Sequence, residues 1–196
     1  MKRVFLTGAS SGIGRAIAHA LLARGDEVLG TSRNLERIPK MPRWHPVRLD
    51  LADPHSAEAA FNAALTDARY FDVLINNAGA GHFDPTELVP METIASQFQI
   101  LVFGQIQLMQ LALHHMQARR EGLIINVTSL ASRLPVPFMA AYNALRPSGQ
   151  FQPPLSGCFP GERERDGRNT TPYSKSLPKF TDIFGTTNEK RIGLRP

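Results

Sequence analysis

Over its first three quarters the chain alternates short apolar runs with helical patterns, and this alternation constrains the fold more than any other feature. "RVFLTG", from Arg3, is a buried-strand run that ends in glycine. Ile13, Ile17, Ala20, Leu21 and Ala23 then recur at helical spacing up to Gly25, a natural helix stop. "EVLGTS" reads as a second strand. A proline-bounded loop from Pro39 to Pro46 leads to "VRLDL" as a third, and Pro54 opens a helix through "HSAEAAFNAAL". "FDVLINNAG" is a fourth strand, a long helix is expected from Met91 to Arg119, and "GLIINVTS" is a fifth strand. Strands separated by helices of this length need right-handed crossovers, which build a parallel sheet. The expected class is therefore α/β, with a doubly wound parallel sheet.

The pattern stops after Ala144. Residues 145–196 carry seven of the 15 prolines and no amphipathic period, so an irregular or disordered Pro/Gly-rich basic tail is expected beyond a domain of residues 1–144. Of the net charge of +5, most resides there, nine Lys/Arg against five Asp/Glu, while the remainder is almost neutral. That distribution describes a solvated tail and not a nucleic-acid surface, so no nucleic-acid partner is expected. No run approaches the roughly 18 apolar residues of a membrane span, and the N-terminus lacks the pattern of a secretory signal. With the single cysteine Cys158, which permits no internal disulfide, these features place the protein in the cytoplasm as an expectation.

"TGASSGIG", Thr7–Gly14, lies between the first strand and the first helix. Glycines there let backbone N–H groups approach a phosphate, and the helix N-terminus offers partial positive charge to a pyrophosphate. "NNAG" at Asn76–Gly79 ends the fourth strand, "INVTS" ends the fifth, and Tyr142 follows Ser129 by 13 residues. On these motifs residues 2–144 resemble the short-chain dehydrogenase/reductase family. The resemblance implies a Rossmann-like domain, C-terminally incomplete here, that transfers hydride between a nicotinamide and a small-molecule carbonyl or alcohol.

The resemblance also implies roles for particular residues. Gly8, Ser11, Gly12, Ile13 and Gly14 would line the diphosphate and adjoining ribose. Asp50 and Leu51 would face the adenine, and Asn77, Ala78 and Gly79 would border the cofactor in mid-groove. At the end of the second strand, where a carboxylate would select NAD, the chain has "TSRN". The guanidinium of Arg33 suits a 2′-phosphate, so NADP(H) is expected in preference to NAD(H). Ser129 would polarise the carbonyl and Tyr142 would act as the acid/base. A tyrosine with a pKa near 10 needs a shift of about three units for that role, roughly 4 kcal/mol.

Two members of the family's constellation are absent. Leu101 stands where an asparagine would be, and Arg146, followed by Pro147, stands where a lysine would support the tyrosine. Pro147 opposes the helical turn that would keep Tyr142 and residue 146 on one face. The abrupt change in this helix suggests a junction near Ala144, from a frameshift, splice variant or fusion; neither alternative frame of the coding DNA encoding a Ser-Lys continuation would exclude the first. The alternative function is a non-catalytic nucleotide-binding remnant. No metal site is expected: His114 and His115 read as solvent-facing, and His82 as a loop histidine. The apolar stripe of the 91–119 helix, including Ile94, Phe98, Leu101, Val102 and Leu108, is wide enough for both a core and a homo-oligomer contact.

Overall fold

The computed structural model describes residues 1–79, 81–82, 84–129 and 138–145, all within the unit Met1–Pro153. The expected tail, with Cys158, and the positions Arg146 and Pro147 lie outside the described residues.

Five parallel strands form one sheet: β1 (Arg3–Leu6), β2 (Glu27–Ser32), β3 (Trp44–Arg48), β4 (Val73–Asn76) and β5 (Leu123–Asn126), in the order β3-β2-β1-β4-β5. In register, Val4 lies beside Val28 on one side and Val73 on the other, and Val73 lies beside Leu123. The helices are α1 (Gly12–Ala23), α2 (Ser56–Ala68), α3 (Met91–Phe98), α4 (Gly104–Arg119) and α5 (Ala140–Leu145). The architecture is a Rossmann-like doubly wound sheet, and the strand order reverses between β1 and β4. Ligands of such sheets bind at that switch point, outside the carboxyl ends of the strands.

Period-two alternation divides β1 between two cores. Val4 and Leu6 pack with Ala18, Leu21, Leu22 and Ile75 on the α1 face. Phe5 packs with Phe61, Phe71, Leu74, Leu108 and Ile124 on the α2/α4 face. With both faces covered, β1 and its neighbour β4 carry apolar residues at successive positions, which is why they read as continuous hydrophobic runs and not as alternating ones. At the amino ends of the strands, charged groups close the sheet: Asp72 accepts from Arg3 N at 2.8 Å and from Arg119 Nη2 at 3.3 Å. The Arg3 and Arg119 guanidinium carbons lie over the Tyr70 ring, 4.5 and 4.0 Å from its centroid.

Several boundaries differ from expectation. β3 begins at Trp44, not Val47, and contains Pro46 opposite Gly30. Among the described residues β3 pairs only with β2, and an edge strand tolerates a proline because one row of its N–H groups has no ladder partner. α2 begins at Ser56, two residues after Pro54. The helix expected over 91–119 is interrupted by a π-helical turn at Gln99–Phe103. The apolar stripe divides accordingly: Leu101, Leu108, Met109, Ala112 and Met116 enter the core, while Phe98, Phe103 and Ile106 remain exposed.

His115 is half-buried and not a fully solvent-facing residue. Its ring packs against Phe71 and Phe61, with centroids 5.4 and 6.4 Å apart, and its Nε2 is buried without a hydrogen-bond partner among the described residues. Burial, and secondly the charge of Arg119, lowers its pKa from the ordinary 6.5. The unfolded chain therefore binds this proton first as pH falls. The resulting stabilisation is complete above about pH 6.5 and is lost progressively below it. His115→Leu is expected to flatten the decline of the melting temperature between about pH 7.5 and about pH 5.5; equal slopes for parent and variant would contradict this.

Candidate active site

The loop leaving β1 is shaped by two glycines that admit no side chain. Gly8 has φ +69°, and a Cβ there would lie 2.9 Å from Ala78 Cα. At Gly14 a Cβ would overlap the Gly8 carbonyl oxygen and Asn77 Nδ2. The loop and the start of α1 are thus pressed against the loop after β4. Ser11 is the N-cap of α1 in extended geometry, and its side chain makes no capping bond. Groups of this kind, the first-turn N–H groups of α1 and the Ser11 hydroxyl, are able to serve as a site for an anion. Ile13 is 67% exposed despite its apolar side chain, and it lies in the wall of this site.

Thr7 fastens the two loops together. Its buried hydroxyl accepts from the backbone N–H of both Asn77 and Ala78, each at 2.9 Å, and donates to the Ile75 carbonyl at 3.4 Å. Asn77 returns the connection, its Nδ2 donating to the carbonyls of Thr7 at 3.0 Å and Gly8 at 3.3 Å. On the outer side, Gln105 Nε2 donates to the Ala78 carbonyl at 3.1 Å. The path of residues 77–79 is therefore fixed by hydrogen bonds and not by packing alone.

At the end of β2, Ser32 is buried and its Oγ accepts from Asn34 N at 3.1 Å. The Asn34 side chain accepts from Glu36 N at 3.0 Å and so caps the short 3-10 turn Leu35–Arg37. These bonds set the backbone of Arg33, whose exposed guanidinium forms no ion pair among the described residues. Across the cleft, Asp50 Oδ1 accepts from Ala52 N at 3.0 Å and Asp50 N donates to Ser56 Oγ at 2.9 Å. Leu51 is buried beside it.

A single cleft of about 710 Å³ collects these groups, a size usual for small-molecule and cofactor sites. Its lining takes in Gly8, Ser11, Gly12, Ile13 and Gly14 after β1, Arg33 after β2, Asp50 and Leu51 after β3, and Asn77, Ala78 and Gly79 after β4. Ser129 and Tyr142 line the same cleft, so all residues singled out in the sequence for cofactor and chemistry converge there. The cleft also takes in Arg37 and Thr128, which sequence reasoning did not single out. Arg37 had a signal, a second arginine four residues after Arg33, but no strand or helix period to place it. Thr7 and Gln105 were missed for a different reason: their partners lie 70 and 27 residues away.

Other residues lie elsewhere. His82 Nε2 lies 2.6 Å from Asp84 Oδ2 and borders a separate small cavity with Gln97 and Met139. Leu101 is 3% exposed and belongs to the core. Among the described residues no cluster of His, Cys, Asp or Glu could hold a metal. A prediction follows for Thr7: Thr7→Val keeps the shape but removes the acceptor of two part-buried N–H groups, at roughly 1–3 kcal/mol each. Denaturant unfolding should show a loss of about 2 kcal/mol or more for Thr7→Val and a much smaller one for Thr7→Ser; equal losses would refute the role of the hydroxyl.

The family model described as "short chain dehydrogenase" matches residues 2–145. A 3-ketodihydrosphingosine reductase of Bacteroides thetaiotaomicron is 33% identical over 142 residues, a stretch covering 72% of this chain and 52% of that protein. A crystal structure of a metagenomic short-chain oxidoreductase in complex with NADP superimposes with a TM-score of 0.70 at 30% identity, over 75% of this chain and 70% of that one. A 3-ketoacyl-(acyl-carrier-protein) reductase from Brucella melitensis, complexed with NADH, gives 0.70 at 28% identity, over 74% and 64% of the two chains. The chain spans about half the length of the curated relatives it matches. By its family model, its relatives and its fold, the chain belongs to the short-chain dehydrogenases.

Proposed function

We propose that this protein is an NADP(H)-dependent oxidoreductase acting on a small-molecule carbonyl/alcohol pair. The observation that carries the reading is the convergence in one cleft of a glycine loop leading into a helix, an arginine at the end of β2 with no ion pair among the described residues, and the Ser129/Tyr142 pair. The cofactor fits the residues present. A backbone cradle that excludes side chains at Gly8 and Gly14 suits a pyrophosphate, and the first turn of α1, which carries no acidic side chain, leaves its N–H groups available to it.

Solved relatives hold NADP in one case and NADH in another, so the family alone does not choose between them. Arg33 supports NADP(H): a guanidinium with no carboxylate partner among the described residues meets a 2′-phosphate with paired charge-assisted bonds. The nicotinamide, when bound, supplies or accepts the hydride. In the reducing direction Ser129 holds the substrate carbonyl oxygen, and the Tyr142 phenol delivers a proton to that oxygen as the carbon becomes that of an alcohol. The reverse direction returns the proton to Tyr142. A single cysteine suits a reducing compartment, and the cytoplasm is the setting proposed. No helix among the described residues is long and apolar enough to cross a membrane.

A second reading, nucleotide binding without turnover, is favoured by one feature. Leu101, at the position where the family's asparagine would stand, is buried in the core and can neither donate nor accept. The two readings separate in a single assay of NADPH oxidation with a panel of ketones. Turnover that falls by about 100-fold or more in Tyr142→Phe supports the enzyme, whereas NADPH binding with no oxidation in the parent supports the second reading. Arg33→Asp should reverse the preference from NADPH to NADH; parent affinities equal for both would overturn the cofactor assignment.

The reading includes self-association through the helix pair α3/α4. Phe98 and Phe103, with ring centroids 6.3 Å apart, and Ile106 leave an apolar face that the core does not cover. Light scattering at micromolar concentration should give a homo-oligomer that Phe103→Glu dissociates; a monomeric parent would refute this part.

A further inference from the structure

We propose that Gln105 is a positioning residue for the cofactor: it fixes the mid-groove wall of the cleft, residues 77–79, from behind. The inference rests on the dinucleotide reading above and assigns a role to a side chain that does not line the cleft.

Gln105 occupies a place where the helix calls for an apolar residue. It lies one turn before Leu108 and Met109, on the buried side of α4, and is itself 7% exposed. A buried amide costs free energy unless it is paired, and this one donates from Nε2 to the Ala78 carbonyl at 3.1 Å. The carbonyl belongs to a peptide segment already held on its other side. Thr7 Oγ1 accepts from Ala78 N and from Asn77 N, so Ala78 is gripped through both its N–H and its C=O.

The π-helical turn at Gln99–Phe103 gives this contact its geometry. A π turn takes in one residue more than an α turn, and each residue rotates the helix by about 100°. Without the wide turn, every side chain from Gly104 onward would point about 100° away, and Gln105 would lose Ala78. Such turns recur at functional sites in proteins generally. Here its consequence is a hydrogen bond to the wall of the cleft.

The wall has little freedom to give. The space where a Gly8 side chain would begin is already closed by Ala78 Cα at 2.9 Å, so an outward or inward drift of Ala78 alters the gap between the phosphate loop and the mid-groove. Ala78 and Gly79 follow β4, on the side of β1 where β5 also brings Ser129 to the cleft, whereas Arg33, Asp50 and Leu51 follow β2 and β3 on the other side. Loss of the Gln105 bond should therefore weaken the hold on the nicotinamide half of a dinucleotide and spare the adenosine half.

The test compares NADPH with adenosine 2′,5′-bisphosphate, which contains the adenosine half and the 2′-phosphate but no nicotinamide. Calorimetric titrations of both are made on the parent, on Gln105→Leu and on Gln105→Met, which retains the length and flexibility of glutamine without its donor. In either folded variant, a loss of about tenfold in NADPH affinity is expected, with adenosine 2′,5′-bisphosphate changed by less than about twofold. Equal losses for both ligands would reduce Gln105 to a general structural role and overturn the proposal, as would unchanged NADPH affinity. A parent that binds neither ligand would sink the dinucleotide reading itself, an outcome distinct from both.

Discussion

The Thr7 hydroxyl joins the two sides of the strand-order switch. β1 and β4 are neighbours, but the loops that leave them diverge, one into α1 and the other toward α3. A single buried oxygen accepts two backbone N–H groups from the second loop, and Asn77 answers with its amide to two carbonyls of the first. The glycines then follow as a requirement. Two loops bound this closely leave no volume for a Cβ at Gly8 or Gly14, and the same absence bares the backbone that a phosphate can approach. The cleft depends on this contact, because both loops line it.

Much of this was legible in the sequence. Short parallel strands buried on both faces give uninterrupted apolar runs, so β1, β2, β4 and β5 could be placed from composition and flanking glycines. β3 could not be placed as well. Pro46 reads as a breaker until the strand is known to be an edge, where a missing N–H costs nothing in the ladder. The π turn carries no residue-level signature, since "QILVF" has the same apolar spacing as an ordinary helix. His115 was misread because adjacency to His114 says only that the two point apart; the aromatic pair Phe61 and Phe71 that receives one of them comes from distant elements.

The residues that line or support the candidate cleft divide in the same way. Those that belong to short ordered motifs, from Gly8 to Gly14 and from Asn77 to Gly79, were legible because spacing within a motif is local information. Thr7 and Gln105 act through partners far along the chain, and nothing near them in sequence marks a threonine as an acceptor for residue 78 or a glutamine as a donor to it. Arg33 was legible through chemistry, as the cation where a carboxylate could have been. The leucine at position 101 was equally visible, and the structure adds its physical meaning: the side chain is buried in the π turn between α3 and α4.

The central claim is that the loops after β1, β2 and β4 form a standing cofactor site in this chain, selective for the 2′-phosphate. Thermal unfolding of the protein alone, with NADPH and with NADH tests it most directly, because a ligand that binds only the folded state raises the midpoint in proportion to its affinity. A cooperative transition raised by NADPH and much less by NADH is the predicted result. A transition indifferent to both cofactors, or none at all, would contradict it.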